Sequence, residues 1–267
     1  MTHLLDCTVL SNAEVAPEHR RMILRGEAIA RDTQPGQFCM LESNPGLIPF
    51  LRRPMSIERS EEDRFSVLYK IVGEGTRLLS KIQPGDTVNV QGPLGKGFPI
   101  QPGYERHILV GGGIGIAPLP GLAEALIRQN IATPEVLLAA RSRDMLLCEE
   151  DFKSLGCSVL LTTDDGSAGM KAFAADALRE MKPHEKTVVY VCGPMIMMAT
   201  VHRLCMETGS LCLASLEAHM ACGDSVCMGC VVETTFEEEF RRMVRVCHDG
   251  PVFDSRHINW NAGAPVS

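Results

Sequence analysis

A chain of 267 residues with 33 acidic and 26 basic side chains, a net charge of −7 and a pI near 5.6 offers no basic face for nucleic acid. Its longest apolar stretch, HILVGGGIGIAPLPGLAEALI, is interrupted by Gly and Pro, so no membrane span is expected. Eleven cysteines, with no charged and apolar leader ahead of them, point to a reducing cytoplasm, where thiols serve metal or redox chemistry.

From Thr8 to about Val90, short runs such as QFCMLES, FSVLYKIV and DTVNVQG alternate with turn signals at Gln34-Pro35-Gly36 and Gln83-Pro84-Gly85-Asp86. That texture predicts a small β barrel, with EGTRLLSKI as a helical insertion. Within it, LRRPMSI sets Arg52 and Arg53 beside Pro54 and Ser56, and Gly75-Thr76 opens the insertion. An arginine fork can grip a diphosphate bidentately and a helix start adds donors; a solvated arginine pair and an ordinary helix start would read the same way.

From Arg106 strand and helix alternate: HILVGG, PLPGLAEALIRQ, EVLLAA, CEEDFKSL, SVLLTT, KAFAADALREM, TVVYVCG and PMIMMATVHRLCME. In the first helix Leu119, Leu122, Ala123, Leu126 and Ile127 share one face, and the series predicts a doubly wound parallel sheet. Gly113-Ile114-Gly115 lies at a strand-to-helix turn where backbone N–H groups can approach a phosphate, although Pro118 breaks the strict G-x-G-x-x-G. The loops Thr163-Asp164-Asp165-Gly166-Ser167 and Cys192-Gly193-Pro194 follow two further strands, at the carboxyl ends where such sheets bind ligands. Arg141 and Arg143 could favour a 2′-phosphate, whereas Asp164 and Asp165 would repel one; the reading adopted is NAD. Cys192 stands where a nicotinamide would lie, in a steric or tuning role or as plain core.

A third texture begins near Cys212, with the short strands VVETTF and FRRMVRV. Here CGDSVCMGC and VCHDGPVF place Cys222, Cys227, Cys230 and Cys247 with four, two and sixteen residues between them. A disulfide framework, a structural zinc site and an iron–sulfur cluster all use such thiols. C-x4-C-x2-C with one distant cysteine is the plant-type ferredoxin spacing, whereas structural zinc usually takes short-spaced pairs on both sides. Gly223 and Gly229 suit a loop wrapped around inorganic sulfide. Cys7, Cys39, Cys148, Cys157, Cys205 and Cys212 read as core or incidental thiols, and His219 and His248 as surface residues.

The order RRPMSI, LYK, GEGT, GPLGKGF, GGGIGIAP, TDDGS, CGP, MACGDSVCMGC and VCHDGPVF resembles the electron-transfer subunit of the NAD-linked (class 1B) dihydroorotate dehydrogenase, in the ferredoxin-reductase superfamily, from about residue 5 to about residue 255. The resemblance implies a six-stranded FAD-binding β barrel (1–102), a Rossmann-like NAD-binding α/β domain (103–211) and a small 2Fe-2S domain (212–267). Carried over by position, Arg53, Pro54, Met55 and Ser56, then Leu68, Tyr69 and Lys70, then Gly75 and Thr76 match the FAD segments, and Cys222, Cys227, Cys230 and Cys247 the cluster ligands. Met55 stands where the wider superfamily has a Tyr, and Asp224 and Ser225 replace small or apolar residues, an added carboxylate that should lower the cluster potential.

The implied function is a relay in cytoplasmic pyrimidine biosynthesis. An FMN-containing dihydroorotate dehydrogenase subunit, in a heterotetramer of two plus two, passes single electrons to 2Fe-2S, and FAD hands a hydride to NAD. Met220 and Met228 are candidate interface or cluster-shielding residues. Rival readings are a related subunit of sulfide dehydrogenase or hydrogenase, a free NADH:flavin reductase, and a zinc-stabilised interaction module.

Overall fold

The structure is a computed structural model and describes residues 1–44, 46, 48–236 and 242–261. Six strands come first: β1 (His3–Ala16), β2 (His19–Arg25), β3 (Phe38–Leu41), β4 (Arg53–Glu61), β5 (Arg64–Lys70) and β6 (Thr87–Leu94). They close into a barrel in the order β1-β2-β5-β4-β3-β6 with antiparallel neighbours throughout. Alternation decides which side chains fill it: Cys7 and Val9, Met22 and Leu24, Cys39 and Leu41, and Val88 and Val90 all point inward and are fully buried or nearly so. Helix α1 (Glu27–Asp32) adds Ile29 and Ala30 to this core, and α2 (Glu74–Leu79) is the expected insertion between β5 and β6.

The second half is built on β7 (Arg106–Gly112), β8 (Glu135–Ala140), β9 (Ser158–Thr163), β10 (Met170–Lys171), β11 (Thr187–Cys192) and β12 (Leu211–Ser215), parallel in the order β10-β9-β8-β7-β11-β12. Successive residues of each strand serve opposite faces. Leu109, Val136, Leu138 and Tyr190 pack with α3 (Leu119–Arg128) and α4 (Glu149–Ser154) on one side. Ile108, Val110, Leu137, Val189 and Val191 pack with α5 (Ala174–Glu180) and α6 (Met195–Thr208) on the other. Strand order reverses between β7 and β11, which makes their carboxyl ends the topological switch point.

The C-terminal segment forms the two-stranded pair β13 (Val231–Glu233) and β14 (Met243–Arg245). It then returns as β15 (Val252–Asp254), which pairs antiparallel with β12 and completes a seven-stranded sheet. The boundary expected after residue 211 therefore falls inside β12, because LCLAS continues the buried parallel ladder to Ser215. Among the described residues no helix is long and apolar enough to cross a membrane.

Barrel and sheet are joined by buried charge. Glu58 of β4 is 0% exposed and accepts three hydrogen bonds from Arg21 at 2.7–3.0 Å and one from the Ser66 hydroxyl at 2.9 Å. Arg21 also reaches Asp151 of α4 at 2.8 Å, and Arg59 bridges Asp151 at 2.9 Å and Glu124 of α3 at 2.7 Å. Gly121 lets α3 lie against the β4 backbone, since a Cβ there would sit 2.8 Å from the Glu58 carbonyl oxygen. Removing one partner of a buried pair strands the other charge, so Arg21→Ala is expected to cost about 3 kcal/mol of unfolding free energy, read by urea titration.

Candidate functional site

The three segments expected to meet FAD lie together at one opening of the barrel. The β4–β5 ladder runs only from Glu61↔Arg64 to Ile57↔Val67, so Arg53–Ser56 and Leu68–Lys70 face each other without pairing. On its other edge Arg53–Ser56 is held by β3, with Phe38↔Ser56, Cys39↔Met55, Met40↔Pro54 and Leu41↔Arg53 in register. Arg53 lies over the start of α2: a Cβ on Gly75 would overlap its guanidinium, so only glycine leaves that cradle open. Its Nη1 donates to the Leu51 carbonyl at 2.6 Å, which aims the fork. Neighbouring Arg52 is engaged elsewhere, by Asn89 at 2.7 and 3.0 Å.

The Thr76 hydroxyl accepts from the N–H groups of Val72 and Gly73 at 2.9 and 3.1 Å, so it closes the turn that leads into α2. Tyr69 is 1% exposed inside the barrel and donates to Asn12 at 2.9 Å, while Leu68 is buried between barrel and sheet. These two therefore offer main chain to the opening, with half-buried Lys70 beyond them. Met55 packs partly into the barrel core.

At the switch point two glycine loops interlock. A Cβ on Gly115 would lie 2.5 Å from the Gly193 Cα and 2.7 Å from the Cys192 carbonyl carbon, so glycine at 115 lets the loops after β7 and β11 come together, while Gly193 takes a φ of +154° that favours glycine. Gly113, at φ +53°, has open space where its Cβ would be. The loop after β9 is tied down: Asp165 accepts from the Ser167 N–H and hydroxyl at 2.9 and 2.6 Å, which holds its carboxyl below the usual range, and the Ser167 hydroxyl accepts from the Arg143 N–H at 2.8 Å. Asp164 is exposed beside it. The Arg143 guanidinium is paired to Glu149 at 2.6 Å. Cys192 is 2% exposed and burial pushes its thiol well above the ordinary value, so it presents backbone rather than a reactive sulfur.

The four cysteines of the C-terminal loop meet in two pairs, Cys222 beside Cys227 and Cys230 beside Cys247. Each sulfur accepts at least one backbone N–H: Cys222 from Asp224 at 3.4 Å, Cys227 from Gly229 at 3.4 Å, Cys230 from Cys247 at 3.4 Å and Cys247 from Ser225 at 3.3 Å. Left-handed backbone at Gly223, Ser225 and Met228 turns these amides inward. Amides from Cys222 and Gly229 bring the exposed Cys227 thiol down to about 7, and burial pushes Cys247 up to about 12. Among the described residues no three His, Cys, Asp or Glu side chains converge as a one-metal site requires. Four neighbouring thiols, each with a backbone donor, make a donor set that suits a dinuclear iron–sulfur cluster.

Exposed Asp224 directs its carboxylate to water, which weakens the potential shift expected of it. His219 and His248 are surface residues as expected, and Cys7, Cys39, Cys157, Cys205 and Cys212 are buried core. Sequence reasoning missed the left-handed Ser225 and Met228, which carry no glycine signal, and the Arg21–Glu58 lock, whose partners lie far apart in the chain.

A closed antiparallel barrel beside a doubly wound sheet, with glycine loops at the switch point, is the architecture of the ferredoxin-reductase class of oxidoreductases. The family described as "Iron-sulfur cluster binding domain of dihydroorotate dehydrogenase B" matches residues 217–259, and "Oxidoreductase NAD-binding domain" matches residues 109–203. The dihydroorotate dehydrogenase B (NAD(+)) electron transfer subunit of Caldanaerobacter subterraneus is 38% identical over 95% of this chain and 98% of that one, and its counterpart from Fusobacterium nucleatum 34% over 93% and 95%. The chain belongs to this family of electron transfer subunits. Among solved structures, an NADH-dependent reduced ferredoxin-NADP oxidoreductase studied for flavin-based electron bifurcation superposes with a TM-score of 0.83 at 29% identity, over 96% of this chain and 90% of that one. A ferredoxin NADP+ reductase from Neisseria gonorrhoeae shares the fold, with a TM-score of 0.66 at 18% identity over 77% and 92%.

The Gly75 cradle yields a direct test. Gly75→Ala displaces the Arg53 fork, and FAD affinity by fluorescence titration is expected to fall at least about tenfold, the scale of one lost charge-assisted contact.

Proposed function

We propose that this chain relays electrons between an FMN-bearing catalytic subunit, which oxidises dihydroorotate, and NAD, within a two-plus-two complex in the cytoplasm. The observation that carries this reading is the cysteine loop, with two thiol pairs and a backbone donor to each sulfur, set in one apolar cluster with barrel residues of β3 and β6. When bound, a 2Fe-2S cluster supplies one-electron transfer and FAD converts two such steps into one hydride for nicotinamide.

The chain's own part is to hold and orient these groups. Arg53 and the α2 start take the FAD diphosphate, and the unpaired edges of Arg53–Ser56 and Leu68–Lys70 flank the flavin. The loops at Gly113, Gly115 and Cys192-Gly193 receive the dinucleotide at the switch point. NAD rather than NADP is favoured because Glu149 already neutralises Arg143, while Asp164 stands free to repel a 2′-phosphate. None of these positions needs to act as a general acid or base, since dihydroorotate oxidation belongs to the partner. The partner meets the loop tip, where Val226 is 80% exposed and Met228 53% exposed around the exposed Cys227. Met220, packed against the core, shields the cluster side of the loop.

Anaerobically purified protein is expected to contain about two irons, two sulfides and one FAD per chain, bleached by NADH. Stoichiometric zinc without flavin would overturn the reading, and reduction of the chain by a sulfide dehydrogenase or hydrogenase partner in place of the dihydroorotate enzyme would redirect it. Cys227→Ser is expected to abolish the cluster and partner-driven NAD reduction while sparing dye reduction by NADH. Iron analysis with a coupled dihydroorotate assay reads both, and partner-driven turnover without iron would refute the relay.

A further inference from the structure

The relay requires an electron to pass between the cysteine loop and the flavin segment, and one side chain touches the first while standing beside the second. Phe38 and Met40 of β3 leave the barrel core to Cys39 and Leu41 and point outward into the apolar cluster that contains Cys230 and Cys247. Met40 is fully buried there. The cysteine loop lies against it: a Cβ on Gly223, the residue after Cys222, would sit 2.6 Å from the Met40 Cγ and 3.0 Å from its sulfur. Leu94, the other neighbour of Gly223 at 3.4 Å, lies on β6, which does not adjoin β4.

Met40 does adjoin it. Its partner across the β3–β4 ladder is Pro54, with Ser56 opposite Phe38, and directly opposed residues of an antiparallel pair share a face. Both β4 residues belong to the segment whose other edge is open for the flavin.

We propose that Met40 is the bridging residue between the iron–sulfur loop and the flavin segment. Its thioether fills the gap at Gly223 and so fixes the distance over which single electrons pass. Glycine at 223 is required on two counts, the left-handed φ of +68° and the absence of room beside Met40. A flexible, polarizable side chain suits a junction between two separately built elements. This inference rests on the relay reading.

The test separates the two redox steps in the holoprotein. After anaerobic mixing, NADH reduces the flavin by two electrons as hydride; one electron then reduces the cluster from its all-ferric to its mixed-valence state, and added cytochrome c drains the cluster and accepts the second in turn. Stopped-flow absorbance resolves flavin bleaching from cluster bleaching. Met40→Ala is expected to leave the first phase unchanged and slow the second at least about tenfold, the scale on which ångström displacements act on rates. Met40→Leu, which conserves volume, restores it.

Hydrogen exchange at Gly223–Ser225 reports the packing independently and is expected to quicken in Met40→Ala alone. An unchanged cluster phase in a fully loaded Met40→Ala protein would overturn the bridge and leave the relay standing. Absence of any cluster phase in the unaltered protein would instead overturn the relay reading itself. Should Met40→Ala fail to hold its cluster, Met40→Val supplies the graded variant, and a cluster phase as fast as that of the unaltered protein would equally overturn the bridge.

Discussion

A carboxylate with no access to water must have its oxygens held by protein donors, and Glu58 places that condition at the junction of barrel and sheet. Arg21 satisfies it from the next-but-one strand of the barrel and reaches on to Asp151, while Arg59 adds Asp151 and Glu124. Separating the two units would break the Arg21–Asp151, Arg59–Asp151 and Arg59–Glu124 pairs and open Glu58 and its barrel partners Arg21 and Ser66 to water, so this lattice of contacts holds barrel and sheet together. The open β4–β5 edge and the glycine loops at the switch point then keep a constant separation. Hydride transfer needs that constancy, because reacting atoms must meet within a few ångströms at a fixed orientation.

The glycines distribute closeness where the lattice supplies rigidity. Gly115 against Gly193 draws two βα loops together, Gly75 leaves the Arg53 fork its place, and Gly223 lets the cysteine loop settle on Met40. At each of these positions a methyl group would meet an atom that is held by something else: a strand end, a guanidinium aimed by the Leu51 carbonyl, or a buried side chain. The packing at the three sites is therefore one constraint expressed three times, the close approach of backbone to another loop, to a guanidinium or to a buried side chain.

Features with local periodicity were legible in the sequence. HILVGG, EVLLAA, SVLLTT and TVVYVCG announced the parallel sheet, and the CGDSVCMGC segment announced an iron–sulfur type of domain at the C-terminal end, because both are written in consecutive or nearly consecutive residues. The long β1–β2 hairpin carries no simple apolar run, since outward Asp6, Arg21 and Arg25 alternate with the inward Cys7, Val9, Met22 and Leu24. The change of texture near Cys212 precedes the true end of the sheet, because CLAS is as apolar as the strands before it and continues the ladder of β12 to Ser215. The Arg pair illustrates what local reading cannot resolve: Arg52 and Arg53 are chemically alike, and only the fold sends one to Asn89 and the other to Gly75.

The cysteine loop has an inside and an outside, and the relay uses both. Cys227 and its neighbours Val226 and Met228 face solvent, whereas Cys230 and Cys247 are each 3% exposed within the apolar cluster that includes Met40. The loop therefore sets Cys227 towards solvent and Cys230 and Cys247 towards the barrel. Burial of the inner pair lowers the local dielectric and excludes water on the side facing the barrel, while Cys227 is exposed and Cys222 half-buried on the outer side. Were all four thiols buried, the partner's redox group would be held too far away; were all four exposed, the inner path would be wet and its length ill defined. The asymmetry follows from the chain itself, since Cys222 and Cys227 lie on the turn-rich, glycine-broken part of the loop and Cys230 and Cys247 flank the ladder of β13 and β14.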